Sequence, residues 1–513
     1  MRPQKSNPIC VEAHLGTVVA EVQSFGISSS YQGILKREGG AGPAEGIYLH
    51  MGHRAVSVPS SRPFKTPYEL RPYEDQLYLS KKDGLLLPVR VVERPKFYQM
   101  STDDGIPYWK IALLHGENCL ASTVFQMCAN WSAEKRCKFC GIELSLRKGL
   151  TIPQKTPDQL AQVARDASKL DDVTHVVLTT GTQVHTKEEI LHLSRCVSAI
   201  KGVVKLPIHV QCEPVERALL EVLKEAGADT IGIHVESFDE KVLRRMAPSK
   251  ASIGLSTFER SWKEAVEIFG PNQVSSFIIL GLGEKPTSVY RAVNLLGSMG
   301  VFPYLVPFRP IPGSILEAWP LPDAQYCIEM YRMSAEILSK KGLSSSQSLA
   351  GCVRCGACSG MKDFEEPKTD LTCRLTCDGK ELQEAFKIRE EVFVREQCMF
   401  KDTDRDDYDG QAHHLIVKQN GRIVGTVRIF EKDPGQRLWM GGRLAVLKEY
   451  RNMGVGELLV KEAVKEAKLR GARRFLAYIQ IQNVAFFESL GWKRVGTPFI
   501  HRDRPHQLME ASL

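Results

Sequence analysis

Cys128, Cys137 and Cys140 lie within the fourteen-residue stretch CANWSAEKRCKFCG. A closed structural zinc site takes four protein ligands, whereas three thiolates on a cubane [4Fe–4S] core leave one iron open to a small molecule. A zinc knuckle, a redox pair or buried thiols are the alternatives for a Cys-x-x-Cys with one neighbour. A second set, Cys352, Cys355 and Cys358 in GCVRCGACSG, recurs at every third position, and Gly351 and Gly356 let the backbone wrap closely round an inorganic core. These spacings suit thiolate chelation, so an auxiliary Fe–S cluster is expected, with a small zinc site or no metal as the alternatives. Cys119, Cys373 or Cys377 would supply a fourth ligand. Cys10, Cys196, Cys212, Cys327 and Cys398 stand alone and read as small buried hydrophobes.

A third pattern is Arg451-Asn452-Met453-Gly454-Val455-Gly456, which joins a strand (RLAV) to an amphipathic helix. Its glycines let successive N–H groups close on phosphate oxygens, and a helix N-terminus favours a surface anion by about 0.3–1 kcal/mol. Arg451 adds a charge-assisted contact.

The elements that must position these groups fall into four stretches. Residues 1–110 form a loop-rich, partly β region punctuated by GGAGPAEG and VPSSRP, with LLLPVRVVE as a strand. Over 111–320, CLASTVF, HVVLTTG, PIHVQCEP, TIGIHVES, SSFIILGLGE and FPYLVPFRP alternate with helices such as TPDQLAQVARDASKL, with Thr156 as N-cap and Pro157 in the first turn. This alternation predicts an α/β parallel sheet or barrel, with the first thiols at the carboxyl ends of its strands, where such barrels do chemistry. Residues 321–372 form a joint of helix, linker and cysteine cluster. Over 373–513, a hairpin around Asn420-Gly421 precedes a helix whose Val455, Leu459, Ala463 and Ala467 repeat at i, i+4 beside Leu458.

At 513 residues with a formal charge of +8, the chain is long enough for two or three domains and only mildly basic. No Lys/Arg block marks a nucleic-acid arm, no run approaches the ~18–20 apolar residues of a membrane span, and the N-terminus lacks a secretory core. A cytoplasmic enzyme with reduced thiols is expected.

The first thiol set resembles that of radical SAM enzymes. There the open iron chelates the amino and carboxylate groups of S-adenosylmethionine, and reductive cleavage gives a 5′-deoxyadenosyl radical. The resemblance implies a partial (β/α)6 barrel over 111–320 and an electron donor such as a flavodoxin or ferredoxin. Phe139 matches the family's aromatic residue beside the adenine. Eight residues separate Cys128 from Cys137, where the common pattern has three. Thr180-Gly181-Thr182 stands where the family often has Gly-Gly-Glu, so the glutamate is missing. Glu236 fits the strand-end polar contact to the cofactor, Gly281 with Glu284 the adenine segment, and Arg309 with Pro310 the sixth-strand end of biotin-synthase-like members. IALLHGENCLASTVFQMC and GADTIGIHVESFDE look like a bacterial radical SAM family found in gene clusters with a nitrilase.

The turn at 451–456 resembles the coenzyme A motif of GNAT acyltransferases, and the likeness extends over 373–513, an α/β domain with a mixed, largely antiparallel sheet. IREEVFVREQ looks like its first helix and GGRLAV like the bulged strand that pairs with pantetheine, through Leu444 and Val446. AYIQIQNVAFFESLGW, with Asn483 and Phe487, resembles the later strand and helix. Acetyl-CoA is the implied cofactor, held also by Arg451, Gly454, Val455 and Gly456, with the Val446 N–H polarising the thioester. Many GNATs use a tyrosine acid where this chain has Phe486-Phe487; Glu396 and His506 are the acceptor-pocket candidates. Asp404, Asp406, Asp407 and Asp409 read as a solvated turn, or as recognition of a cationic acceptor. The whole reads as a bifunctional enzyme, one head acting by radical chemistry on a small metabolite, an amine or amide of nitrogen metabolism, and the other acylating it. Elongator's catalytic subunit, which acts on transfer RNA wobble uridine, shares the domain order, but the lysine-rich amino-terminal region and an aromatic-basic patch are missing here.

Overall fold

The computed structural model describes residues 15–28, 46–52, 54–59, 66–73, 76–81, 84–365, 371–419, 421–451, 454–502 and 504–513. Asn420 of the hairpin turn, Asn452 and Met453 of the glycine turn, and Cys10 lie outside them. The chain divides into two compact units, Met1–Glu365 and Glu366–Leu513.

In the first unit, β1 (Ile47–Met51), β2 (Arg54–Val58), β3 (Tyr68–Tyr73), β4 (Gln76–Lys81) and β5 (Gly84–Val91) form an antiparallel sheet in the order β2-β1-β5-β4-β3. Alternate residues of these strands, including Leu49, Met51, Val56, Val58, Tyr68 and Leu70, pack with Val18, Val19 and Val22 of the helix Leu15–Phe25 in one apolar cluster.

The repeated βα pattern produces a curled parallel sheet. Its strands are β7 (Cys119–Thr123), β8 (His175–Thr179), β9 (Ile208–Gln211), β10 (Thr230–Gly232), β11 (Val274–Leu280) and β12 (Val301–Pro307), in sequential order, with β6 (Leu113–His115) antiparallel at the β7 edge. Their runs are almost continuously buried, as strands covered on both faces require. The helix Pro157–Leu170 starts as its sequence predicts: Thr156 accepts the Gln159 N–H and Gln159 answers in a capping box.

The strand expected over TIGIHVES stops at Gly232. A Cβ there would meet the His234 ring at 2.5 Å; that ring stacks on Phe277 at 4.0 Å and accepts the Phe277 N–H, a bond the ladder would otherwise use. The chain rejoins the sheet through a bridge between Glu236 and Ile278, with Glu236 at φ 73°.

The unit runs on to Glu365. The helix Ala324–Lys340 packs on Pro286–Ser298 and on Leu15–Phe25, and the short helix Gly351–Cys355 contacts β8, β9, β10 and β12. The second cysteine set therefore packs against the parallel sheet.

The second unit is built on β13 (Leu371–Leu375), β14 (His413–Gln419), β15 (Arg422–Asp433), β16 (Leu438–Val446), β17 (Arg474–Gln480), β18 (Lys493–His501) and β19 (Arg504–Glu510), in the order β13-β14-β15-β16-β17-β19-β18. Only β16 and β17 pair in parallel. The helix Val455–Leu469 buries Val455, Leu459, Val460, Ala463 and Ala467 against the sheet, so Val460 takes the place expected for Leu458, which is only partly buried.

Candidate active sites

The first site lies beyond the carboxyl ends of β7, β8 and β10. The loop after β7 is fixed by backbone bonds: the Ala129 N–H donates to Thr182 O (2.7 Å), Gly181 N–H to Phe125 O (2.8 Å) and Lys138 N–H to Met246 O (2.8 Å). A Cβ on Gly181 would fall 2.2 Å from Met127 O, so only glycine lets Thr180-Gly181-Thr182 lie against the residue before Cys128. Cys128, Cys137 and Cys140 lie close enough to perturb one another. Burial pushes the Cys137 thiol up to about 12, against the pull of the Lys250 charge, and Cys140 up to about 11; burial also raises Cys128. Buried thiols of this kind give up their protons when a metal binds them, so the donor set fits a thiolate-held iron core.

Other predicted residues of this unit have defined partners. Glu236, buried, forms an ion pair with Lys250, whose Nζ also donates to His234 O (2.6 Å). Phe139 packs among Val242, Met246, Ile279, Leu282, Phe308 and Leu316, which draws the thiol loop to the end of β11. There Gly281 takes φ 97° and donates its N–H to Glu284 (2.8 Å), while the Trp319 indole donates to Gly281 O (2.9 Å). Glu284 also accepts from Tyr326 (2.7 Å), so its role is to fix this turn. Arg309 spends both terminal guanidinium nitrogens on Ser57, donating to its Oγ and its O, each at 2.6 Å; it ties β2 to the end of β12.

Three residues escaped the sequence reading. Lys250 sits on a separate helix, and nothing in its surroundings signals the Glu236 pair. Glu213, two residues past β9, acts electrostatically on Cys128 and Lys250; its strand-end position in HVQCEP was the available signal. Glu189 accepts the Gln183 N–H (2.7 Å), and burial lifts its carboxyl to about 7. Carboxylates thus stand beside Thr180-Gly181-Thr182, although that segment carries none.

In the second unit the backbone geometry follows the expected pattern and several side chains do not. β16 pairs with β17 only from Leu438 to Gly441, so the strands splay beyond it. Its register with β15 shifts around Arg443, which takes φ 57°, a bulge that redirects Leu444 and Val446. Leu447 donates its N–H to Val424 O, and alternation turns the Val446 N–H to the splayed edge. Gly454 caps the helix Val455–Leu469 at φ 83°; the first helical bond runs from Leu458 N–H to Gly454 O, leaving the N–H groups of Val455 and Gly456 for a ligand. This fits a pantetheine and pyrophosphate chain.

Arg451 and Glu396, expected on phosphate and in the acceptor pocket, instead bind each other through both guanidinium nitrogens at 2.6 Å, with Arg451 Nε on Val446 O (3.1 Å). The Arg451 hydrogen bond holds the Glu396 carboxyl below the usual carboxylate range, which unfits it as a base. Phe487 is core, edge-on to Trp492 at 5.2 Å; Phe486 is the exposed ring, 3.7 Å from a Cβ built on Gly456. Asn483 is exposed before the helix Val484–Ser489, with no capping bond from its side chain.

His506 is buried, its Nδ1 against Arg504 O at 2.9 Å, and its ring lies 5.3 Å from His501. His501, missed in sequence for want of a motif, has its imidazole lowered by burial and by the neighbouring His506, Arg502 and Arg443. Tyr478 shares this face, 5.2 Å from His501. Arg443 and Arg502 both lie over the Phe400 ring, at 4.8 and 4.6 Å.

Asp407 is exposed, as a solvated turn requires, but Asp404, Asp406 and Asp409 are held by arginines. Arg389, fully buried, binds Asp404 (2.8 Å) and Asp409 (2.6 and 2.9 Å); Arg428 binds Asp406 (2.6 Å on both oxygens), and Arg443 reaches Asp404 and Asp406. Three guanidiniums neutralise these three carboxylates, which leaves them unsuited to a cationic acceptor.

Residues 134–296 match the Radical SAM superfamily and residues 380–492 the Acetyltransferase (GNAT) family. The chain is 33% identical over 131 residues to the uncharacterized N-acetyltransferase YjcF of Bacillus subtilis, covering 25% of this chain and 91% of that one. It is 27% identical over 123 residues to bacteriochlorophyllide c C-7(1)-hydroxylase of Chlorobaculum limnaeum, 24% of this chain and 30% of that enzyme. The crystal structure of Escherichia coli ElaA matches with a TM-score of 0.26 and 22% identity, over 28% of this chain and 99% of that one.

Proposed function

Because this chain belongs to the radical SAM superfamily through its first unit and to the GNAT acetyltransferases through its second, we propose that it is a two-headed enzyme that alters a small metabolite by radical chemistry and acylates an amine. The observation that carries the reading is the placing of Cys128, Cys137 and Cys140 against Thr180-Gly181-Thr182 and Glu236 at the carboxyl ends of a parallel sheet. Cys128, Cys137 and Cys140 would hold a [4Fe–4S] cluster, which, once reduced by a flavodoxin- or ferredoxin-like donor, would supply the electron for cleavage of S-adenosylmethionine. Glu213 and Glu189 offer the carboxylates that the Thr-Gly-Thr segment lacks, and they suit the cofactor's ammonium. Phe139 and the Gly281 turn form an apolar wall for its adenine. A second cluster, on Cys352, Cys355 and Cys358, belongs to the same reading.

At the other head, the Val446 N–H donates to the thioester oxygen, and the Gly454–Gly456 amides hold the pyrophosphate. His501, neutral at pH 7, takes the proton of the attacking amine. Arg502, over the Phe400 ring, brings a positive charge to this face, which favours an acceptor that carries a carboxylate as well as its amine.

The test is to incubate the reduced, reconstituted chain with S-adenosylmethionine, acetyl-CoA and a metabolite extract, following 5′-deoxyadenosine and new acylated masses. Cys137→Ala is expected to abolish 5′-deoxyadenosine while acetyl-CoA binding persists. Loss of both together, or full 5′-deoxyadenosine formation by the variant, would overturn the two-headed reading.

A further inference from the structure

The cysteines at 352, 355 and 358 have a fourth companion in space. Cys119 is the first residue of β7, and its side chain packs against Cys355, within electrostatic reach of Cys352 and Cys358. Cys355 packs on Cys119, Ala121 and Val177, alternate residues of β7 and β8 on the face that receives the helix Gly351–Cys355. The other two sequence candidates do not compete within this unit. Cys373 sits on β13, and Cys377 bonds Glu381 at 3.0 Å and Arg374 at 2.8 Å, all in the second unit.

The surroundings of the four thiols fit an anionic core. Gly351 and Gly116 are held by close approach: a Cβ on the first would strike the His209 ring at 2.7 Å, and one on the second the Cys355 sulfur at 2.9 Å. Arg54 and Lys362 bring positive charge to Cys355, and Gln211 donates to the Cys352 sulfur at 3.8 Å. The Tyr304 hydroxyl is buried with no hydrogen-bond partner among the described residues. Tyr304 is near enough to Cys352, Cys355 and Cys358 to feel their charge. An unpartnered buried hydroxyl beside clustered sulfurs is costly unless an acceptor such as bound sulfide completes it. Among the described residues, no three His, Cys, Asp or Glu side chains close on one point as a single ion requires, and this holds for Cys128, Cys137 and Cys140 as well.

We propose that Cys119, Cys352, Cys355 and Cys358 together ligate a closed iron–sulfur cluster set against the parallel sheet, with every iron held by the protein. The proposal rests on the auxiliary-cluster reading above and adds its fourth ligand and its coordinative closure. The mouth site leaves an iron for substrate; this one leaves none, and it pins the segment 351–358 to the sheet. Along β7 about 13 Å of strand runs from Cys119 to the mouth end at Thr123.

The test uses the full chain, isolated and reconstituted without oxygen, with Cys128, Cys137 and Cys140 all changed to Ala so that only the inner set remains. About four irons and four sulfides per chain are expected, with an electron paramagnetic resonance signal after reduction. Adding Cys119→Ala should lower the iron several-fold, and the near-isosteric Cys119→Ser should change the signal while circular dichroism stays the same. Cys196→Ala, a buried thiol elsewhere in the barrel core, should change neither. Full iron and an unaltered signal in both Cys119 variants would remove Cys119 from the ligand set and leave the auxiliary cluster standing. A parent triple variant that takes up zinc alone, or no metal, would sink the auxiliary cluster itself.

Discussion

The two units prepare their chemistry in opposite ways. In the barrel unit reactivity rests on side chains: thiols brought to strand ends and wrapped by backbone that leaves them for a ligand. In the GNAT unit the charged side chains are spent on one another, Arg451 on Glu396 and Arg389, Arg428 and Arg443 on the aspartates. Backbone carries the work there, through a bulge at Arg443, a splay after Gly441 and a helix N-terminus at Gly454. A thiolate cluster needs soft ligands that only side chains supply, whereas a thioester and a pyrophosphate need N–H donors that any residue of the right conformation supplies.

The sharpest way to break this contrast is to attack backbone in the barrel. Gly181→Val should abolish 5′-deoxyadenosine formation and lose the mouth iron, because its Cβ would lie 2.2 Å from Met127 O and neither backbone can yield without moving Cys128. Misplacement of about 1 Å alone can cost ~100-fold. Retained iron and rate would show that the thiol loop is positioned by other means. The next largest effect separates two adjacent rings. Phe487→Ala should cost about 3–5 kcal/mol of unfolding free energy, as for a buried aromatic, whereas Phe486→Ala should stay within about 0.5 kcal/mol. Chemical denaturation measures both, and a raised KM for acetyl-CoA is expected only from Phe486→Ala. Equal losses of stability would void the assignment of core to one ring and cofactor face to the other.

The same contrast explains what could be read in the sequence. Strand and helix periodicity, the thiol spacings and the glycine turn are local, and they placed six barrel strands, the GNAT hairpin and the helix Val455–Leu469 where the structure has them. Partner choice is not local. Nothing in the residues around Glu396 announces Arg451, 55 positions on, and KDTDRDDYDG looks like any acidic turn until three arginines from distant elements reach it. The early end of β10 was hidden for a related reason. TIGIHVES has ideal strand composition, and only the stacking of His234 on Phe277 takes the chain out of the ladder. The segment 321–372 read as a joint because the sheet that the helix Gly351–Cys355 packs on is remote in sequence.

The smallest expected effect bears on which group takes the proton. Glu396 is about one-third exposed and paired with Arg451 in solvent-accessible geometry, so breaking the pair should cost no more than about 1 kcal/mol. Glu396→Gln should leave kcat within a few-fold, since a carboxyl held below its usual range by a guanidinium is a poor base at any pH where the enzyme works. His501 is the opposite case. Burial and the charges of His506, Arg502 and Arg443 disfavour its imidazolium, so the neutral, proton-accepting form persists to lower pH than for a free histidine. The acyl-transfer rate should therefore fall only as pH drops below the ordinary imidazole range, and His501→Gln should remove that acid limb along with most of the rate, while Glu396→Gln leaves the limb in place. A limb that survives His501→Gln and vanishes with Glu396→Gln would reverse the assignment, and with it the claim that this unit's charged pairs are structural.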